Sequence, residues 1–166
     1  MSAIPTLSTE RLVLRPPVIA DFCKYADFMA SDRSRMMGGP HVGWAAWGMF
    51  AGDVAMWALF GHGALMIEVT DTGECVGQVG INHGPMFPEK QLGWMLYDGC
   101  EGKGYATEAG RALKDWAFET QKLDTLVSYF HPENYRSMAV SARLGGFRDE
   151  SAAPQDEGDV VYRYSA

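Results

Sequence analysis

Residues Gly93-Trp94-Met95-Leu96-Tyr97-Asp98-Gly99-Cys100-Glu101-Gly102-Lys103-Gly104-Tyr105-Ala106-Thr107-Glu108-Ala109 decide how this chain folds. A strand-like run stops at a glycine-rich turn, and an amphipathic stretch opens directly behind it. Tyr105, Ala109, Ala112, Leu113, Trp116 and Ala117 share one helical face that ends near Thr120. A junction of this kind leaves the first helical amides unpaired, with the positive end of the helix dipole behind them. Gly102 and Gly104 permit backbone angles that other residues avoid and let an anion approach the main chain. The local physics predicts an anion site with phosphate as its ligand. The plainer alternative is that the glycines only turn the chain into a helix. Two nucleotide motifs fail here: Tyr105 and Ala106 follow the last glycine where a P-loop needs Lys and then Ser or Thr. Thr107 stands where a dinucleotide fingerprint needs Gly or Ala.

Upstream of this segment, Thr9 to Pro17 alternates and stops at two prolines, which predicts a first strand with an abrupt end. Phe22, Tyr25, Ala26 and Met29 recur at helical spacing between Ile19 and Ala30. Trp47, Phe50, Val54 and Trp57 do so between Trp44 and Phe60. Ala64–Thr70, Cys75–Asn82 and Gln91–Tyr97 read as strands, separated by the turn Asp71-Thr72-Gly73 and by a Gly- and Pro-rich loop from His83 to Glu89. Downstream, Leu126–Phe130 reads as a strand, Asn134–Leu144 as a helix and Val160–Tyr164 as a last strand. This order predicts one α/β domain over residues 1–166. Its mixed, mostly antiparallel sheet has six to seven strands and is flanked by about four helices.

Composition narrows the function. With 47% hydrophobic residues the chain has the content of a folded domain. Its 14 basic and 21 acidic residues give a formal charge of −7, which argues against a nucleic-acid partner, because phosphate backbones are held by clustered Lys and Arg. Cys23, Cys75 and Cys100 are odd in number and form no CxxC, and the four histidines make no ligand pair, so reduced thiols and no metal are expected. The start Met1-Ser2-Ala3-Ile4-Pro5 lacks a basic region followed by an apolar run, and Gly43–Phe60 contains Asp53 and three glycines. A cytoplasmic protein without a membrane span is the expectation.

Glu101-Gly102-Lys103-Gly104-Tyr105-Ala106-Thr107-Glu108-Ala109 resembles the acyl-CoA pyrophosphate loop of the GNAT acetyltransferase superfamily. Thr9-Glu10-Arg11-Leu12-Val13-Leu14-Arg15-Pro16, Asn134-Tyr135-Arg136-Ser137 and Leu144-Gly145 are similar to motifs of its ribosomal-protein N-terminal (alanine/serine) acetyltransferase branch, in the same order. The resemblance runs nearly the length of the chain. One departure is Glu101, where the superfamily usually has Gln or Arg; a carboxylate there repels the anionic coenzyme.

The resemblance implies transfer of an acetyl group from acetyl-CoA to a primary amine: a protein N-terminus, an amino acid or a small amine. It implies that Gly102, Lys103, Gly104, Tyr105, Ala106 and Thr107 hold the pyrophosphate, with Asn134 and Ser137 further along the cofactor. The strands Gln91–Tyr97 and Leu126–Phe130 are expected to splay. Backbone groups of Met95, Leu96 and Tyr97 then pair with the pantetheine arm, and an N–H there, assigned to Leu96, polarises the thioester. Many members carry a proton-donating tyrosine seven residues after the motif asparagine; this chain has Ser141 there, and the resemblance implies that its hydroxyl, directly or through a water, donates the proton to the leaving thiolate. An amine with a pKa near ~10 must lose a proton before attack, and His83, Glu89 and Glu68 are candidate bases. Trp44, Trp47, Phe50 and Trp57 fall in the region that walls the acceptor cleft, although core packing is the commoner use of such a stripe. The alternative function is an acyl-CoA-binding module with weak or no turnover. A homodimer joined through a sheet edge or the second helix fits the same pattern.

Overall fold

Leu12 and Leu14 alternate with Val13 and Arg15 and are wholly buried, so this short segment is a strand with one inward face. In the computed structural model, which describes residues 3–166, the segment is β2 of an eight-stranded sheet. Met1 and Ser2, which open the reading of the chain start and of the domain, lie outside the described residues. The strands are β1 Leu7–Ser8, β2 Leu12–Arg15, β3 Ala64–Val69, β4 Cys75–Asn82, β5 Gln91–Leu96, β6 Thr125–Phe130, β7 Phe147–Arg148 and β8 Val160–Ser165. The helices are α1 Phe22–Ala30, α2 Trp44–Phe60, α3 Tyr105–Glu119 and α4 Tyr135–Arg143, with 3-10 turns at Ile19–Asp21 and Asp32–Met37.

Spatial order is β1-β2-β3-β4-β5-β6-β8-β7, antiparallel throughout except between β5 and β6. The strand count exceeds the expected six to seven because β1 and β7 have two residues each, too short to leave a periodic signal. Thr9–Arg11, read as the start of the first strand, forms a turn between β1 and β2 instead. The reason is local: Thr9 donates its N–H to Leu12 O at 2.9 Å and accepts the Leu12 N–H on its hydroxyl at 3.0 Å.

Four consecutive residues of β3, Ala64 to Ile67, and six of β4, Val76 to Ile81, are buried. A run of this kind, in place of alternation, means that the sheet is covered on both faces. On one face lie α1 and α2: Phe28 packs its ring 6.2 Å from Tyr97, and the Trp57 indole donates to Ala64 O at 2.8 Å. On the other, α3 buries Ala109, Leu113 and Ala117, and Gly110 lets Leu144 and Trp94 approach its backbone. Register aligns Met66, Gln78 and Met95 in one row across β3, β4 and β5, with Ala64, Gly80 and Gly93 in the adjacent row.

Candidate active site

β5 and β6 run parallel but share a single ladder pair, Gln91 with Val127. Val127 donates to Lys90 O at 3.0 Å, and one residue further the bridge is made by a side chain, Ser128 Oγ donating to Leu92 O at 2.5 Å. Beyond that point the strands diverge and leave a gap. Which groups face it follows from the antiparallel alternation between β4 and β5. Tyr97 donates its N–H to Val76 O at 2.8 Å, away from the gap, and every second residue does likewise. The backbone groups of Trp94 and Leu96 therefore face the gap, while those of Met95 and the Tyr97 N–H are spent on β4, and the Tyr97 carbonyl accepts the Cys100 N–H at 3.0 Å. Of the expected trio Met95, Leu96 and Tyr97, Leu96 has its backbone groups turned to the gap, and Trp94 is the other such residue beyond the apex. Met95 and Tyr97 contribute buried side chains on the α1–α2 face, and desolvation raises the Tyr97 phenol above its usual range.

The turn after β5 is built on left-handed backbone: Gly99, Gly102 and Gly104 have φ of 75°, 77° and 83°. A Cβ on Gly99 or Gly102 would meet nothing within 4 Å, so conformation and not crowding demands glycine there. Gly104 is the N-cap of α3, and the amides of Tyr105, Ala106 and Thr107 open the helix behind it. Arg11 fixes this end of the helix. It donates to Lys103 O at 3.0 Å and pairs with Glu108 at 2.7 Å, while Thr9 Oγ1 donates to Glu108 at 2.6 Å. Desolvation pushes the Glu108 carboxyl up, yet the hydrogen bonds from Thr9 and Arg11 outweigh it and hold the group below its usual range. Glu108 thus joins two of the segments that carry the family resemblance. The Lys103 side chain is exposed. Glu101 is ion-paired with Arg33, from the 3-10 turn after α1, so the carboxylate that departs from the superfamily pattern carries its own counter-charge.

Asn134 caps α4, its side chain accepting the Ser137 N–H at 3.3 Å. Ser141 is completely buried, 2.6 Å from the Tyr164 hydroxyl, which lies 2.9 Å from Ser128 Oγ. Three hydroxyls thus form one chain ending on Leu92 O at the apex of the gap. Desolvation outweighs the opposing hydrogen bonds with Ser128 and Ser141 and pushes the Tyr164 phenol up to about 12. Sequence reading missed Tyr164 and Ser128, because inward residues of two core strands look like packing until the register is known.

Two candidate bases are otherwise engaged. Glu68 pairs with Arg15 at 2.6 Å, and Glu89 is held by the two terminal Arg163 nitrogens at 2.8 Å, which draws its carboxyl down. His83 is half-buried, edge-on to Phe60 at 5.1 Å, and desolvation keeps it below its normal range. Of the aromatic stripe, Phe50 is buried and Trp47 packs on Phe22 at 5.1 Å, whereas Trp44 is 86% exposed. Among the described residues no group of three or more His, Cys, Asp or Glu could hold a metal ion, and no helix is long and apolar enough to cross a membrane.

The family model for the acetyltransferase (GNAT) domain matches residues 11–146. A crystal structure of an acetyltransferase from Agrobacterium tumefaciens is 59% identical, covers 100% of this chain and 97% of its own, and superimposes with a TM-score of 0.96. A putative ribosomal-protein-serine acetyltransferase from Vibrio cholerae shares the fold at 23% identity, with a TM-score of 0.76 and all of both chains covered. Uncharacterized protein YkkB of Bacillus subtilis is 32% identical over 107 residues, which is 62% of this chain and 61% of that protein. The chain spans 35% to 61% of the lengths of the curated relatives it matches. With the loop, the capped α4 and the splayed strands all in place, the chain belongs to the GNAT family of acetyltransferases.

Proposed function

We propose that this protein transfers the acetyl group of acetyl-CoA to a primary amine by direct attack in a ternary complex. The gap between β5 and β6 carries the reading. It presents the backbone groups of Trp94 and Leu96 to an extended ligand, and it opens beside the free amides at the start of α3. A pantetheine arm pairs with such an edge as an added strand would. Gly102 to Thr107 receive the pyrophosphate, and Asn134 and Ser137 flank the arm. A Leu96 or Trp94 N–H in the gap stabilises charge that develops on the thioester oxygen. Two fold relatives, a microcin C7 self-immunity acetyltransferase in complex with acetyl-CoA and AMP and RimL in complex with coenzyme A, carry the same class of cofactor.

Ser141 serves as a buried anchor of the apex rather than as an open donor. Ser128 spends its proton on Leu92 O, so the Tyr164 proton goes to Ser128 and the Ser141 proton to Tyr164. The leaving thiolate takes its proton from the nitrogen that attacks.

Calorimetric titration with acetyl-CoA, with coenzyme A alongside, tests the reading, followed by thiol release in the presence of peptides and small amines. Saturable binding with turnover is expected. Binding without turnover of any amine would favour the acyl-CoA-binding module, and no binding would remove the gap as a cofactor site.

A further inference from the structure

α2 carries a carboxylate where its inward stripe calls for an apolar side chain. Ala46 and Phe50 are buried against the core and Trp57 reaches Ala64 O, and Asp53 falls on the same stripe between them. Taking an ionised carboxylate into such an interface costs several kcal/mol unless a cation meets it. Among the described residues, Asp21, Glu68, Glu89, Glu101, Glu108 and Asp149 each hold an arginine. Asp53 holds none. The groups beside it are neutral: the Tyr25 hydroxyl of α1 donates to it at 3.3 Å, and the Gln78 amide of β4, which reaches Met66 Sδ at 3.9 Å, faces it across the sheet.

The surroundings leave room for a ligand. Gln78 stands in the row Met66–Gln78–Met95, and the next row, Ala64–Gly80–Gly93, has almost no side chains. A Cβ on Gly93 would meet nothing within 4 Å. Gly93 lies diagonally across from Gln78, a separation of about 7–8 Å in a sheet. It directly precedes Trp94, whose backbone borders the gap. Gly93 thus shares the α1–α2 face of the sheet with Gln78 and Asp53, and it adjoins the edge on which the thioester is placed.

Resting on that placement, we infer that Asp53 is the acceptor-side base and the counter-ion that selects a cationic primary amine. Its carboxylate receives the ammonium and takes one proton from it. The freed amine forms the N–C bond to the thioester carbonyl, and the C–S bond breaks. A second N–H proton passes to the departing thiolate, and Asp53 returns its proton to solvent. Desolvation raises the Asp53 carboxyl to about 7, which suits a base near neutrality. The groups facing it are Tyr25 from α1 and Gln78 from β4, with Tyr97 of β5 beyond Tyr25; none is cationic.

The test uses the full chain, with n-butylamine as the probe. Acetyl-CoA titration is run first, and failure to bind overturns the placement in the gap and leaves Asp53 without a thioester to serve. With acetyl-CoA bound, Asp53→Asn should lower kcat/KM for butylamine by about 100-fold or more, within the range of general-base catalysis. Its acetyl-CoA affinity should stay within about twofold. The acid limb of the wild-type pH profile should vanish in Asp53→Asn, and Asp53→Glu should restore part of the rate. In parallel, the infrared band of the protonated Asp53 carboxyl, assigned by its loss in Asp53→Asn, should convert to carboxylate when butylammonium is added at fixed pH. The inference is overturned if acetyl-CoA binds and the acid limb survives in Asp53→Asn. It is equally overturned if butylamine is neither consumed nor able to move the band.

Discussion

Single residues at this site are constrained by charge and conformation together. Gly104 has a left-handed backbone and sits under Arg11, with 3.3 Å from its Cβ position to the guanidinium. Gly104→Asp adds strain and places a carboxylate at the pyrophosphate seat, so acetyl-CoA affinity should fall by at least about 100-fold, roughly 2.7 kcal/mol, in a calorimetric titration. Asp53 gives a second prediction. Its carboxyl is raised from 3.8 to about 7, so across that interval the folded chain holds a proton that the unfolded chain has lost. Stability is therefore highest at the acid end of that window and declines as pH rises through it, by at most about 4 kcal/mol. Denaturant midpoints measured across the window should fall for the wild type and stay flatter for Asp53→Asn. The glycine loop was legible because left-handed turns select glycine in the sequence itself. The Glu101–Arg33 pair was not, because nothing in either segment specifies the other until the 3-10 turn after α1 is placed beside the loop.

At the scale of elements, helical spacing of apolar residues marks the helices, and apolar runs or alternation bounded by turn residues mark the six longer strands. The stripe of α2 is read from Trp47, Phe50, Val54 and Trp57; Phe50 is buried and Trp47 and Trp57 pack against the core, while Ala46 takes the buried place beside them that Val54 does not. An apolar helix on almost every side hides which side faces in. Two glycines inside that helix have no packing reason: a Cβ at Gly48 or Gly52 meets nothing within 4 Å. Gly48→Ala should stabilise the fold by about 0.5–1 kcal/mol, seen as a higher Tm with acetyl-CoA binding unchanged. Glu108→Ala should do the reverse. It leaves Arg11 and Thr9 without their acceptor and loosens the start of α3, at a cost of about 1–3 kcal/mol in denaturant unfolding.

For the molecule as a whole, the sheet ends on very short strands, two residues in β1 and two in β7, which blunts its outer edges. Its long unpaired edges are internal, on β5 and β6 where they part. Ser128→Ala removes the side-chain bridge to Leu92 O and leaves Tyr164 without its acceptor. It should cost about 1–3 kcal/mol and raise KM for acetyl-CoA more than it lowers kcat. The splay carries a further consequence in the language of solvent exchange. The amide protons of Trp94 and Leu96 have no strand to receive them, while Tyr97, bonded to Val76, does. Deuterium should enter at Trp94 and Leu96 quickly and at Tyr97 slowly, and a saturating acyl donor should close that difference. The donor then acts as a missing strand, and the protein without it carries the same kind of open edge that elsewhere seeds self-association.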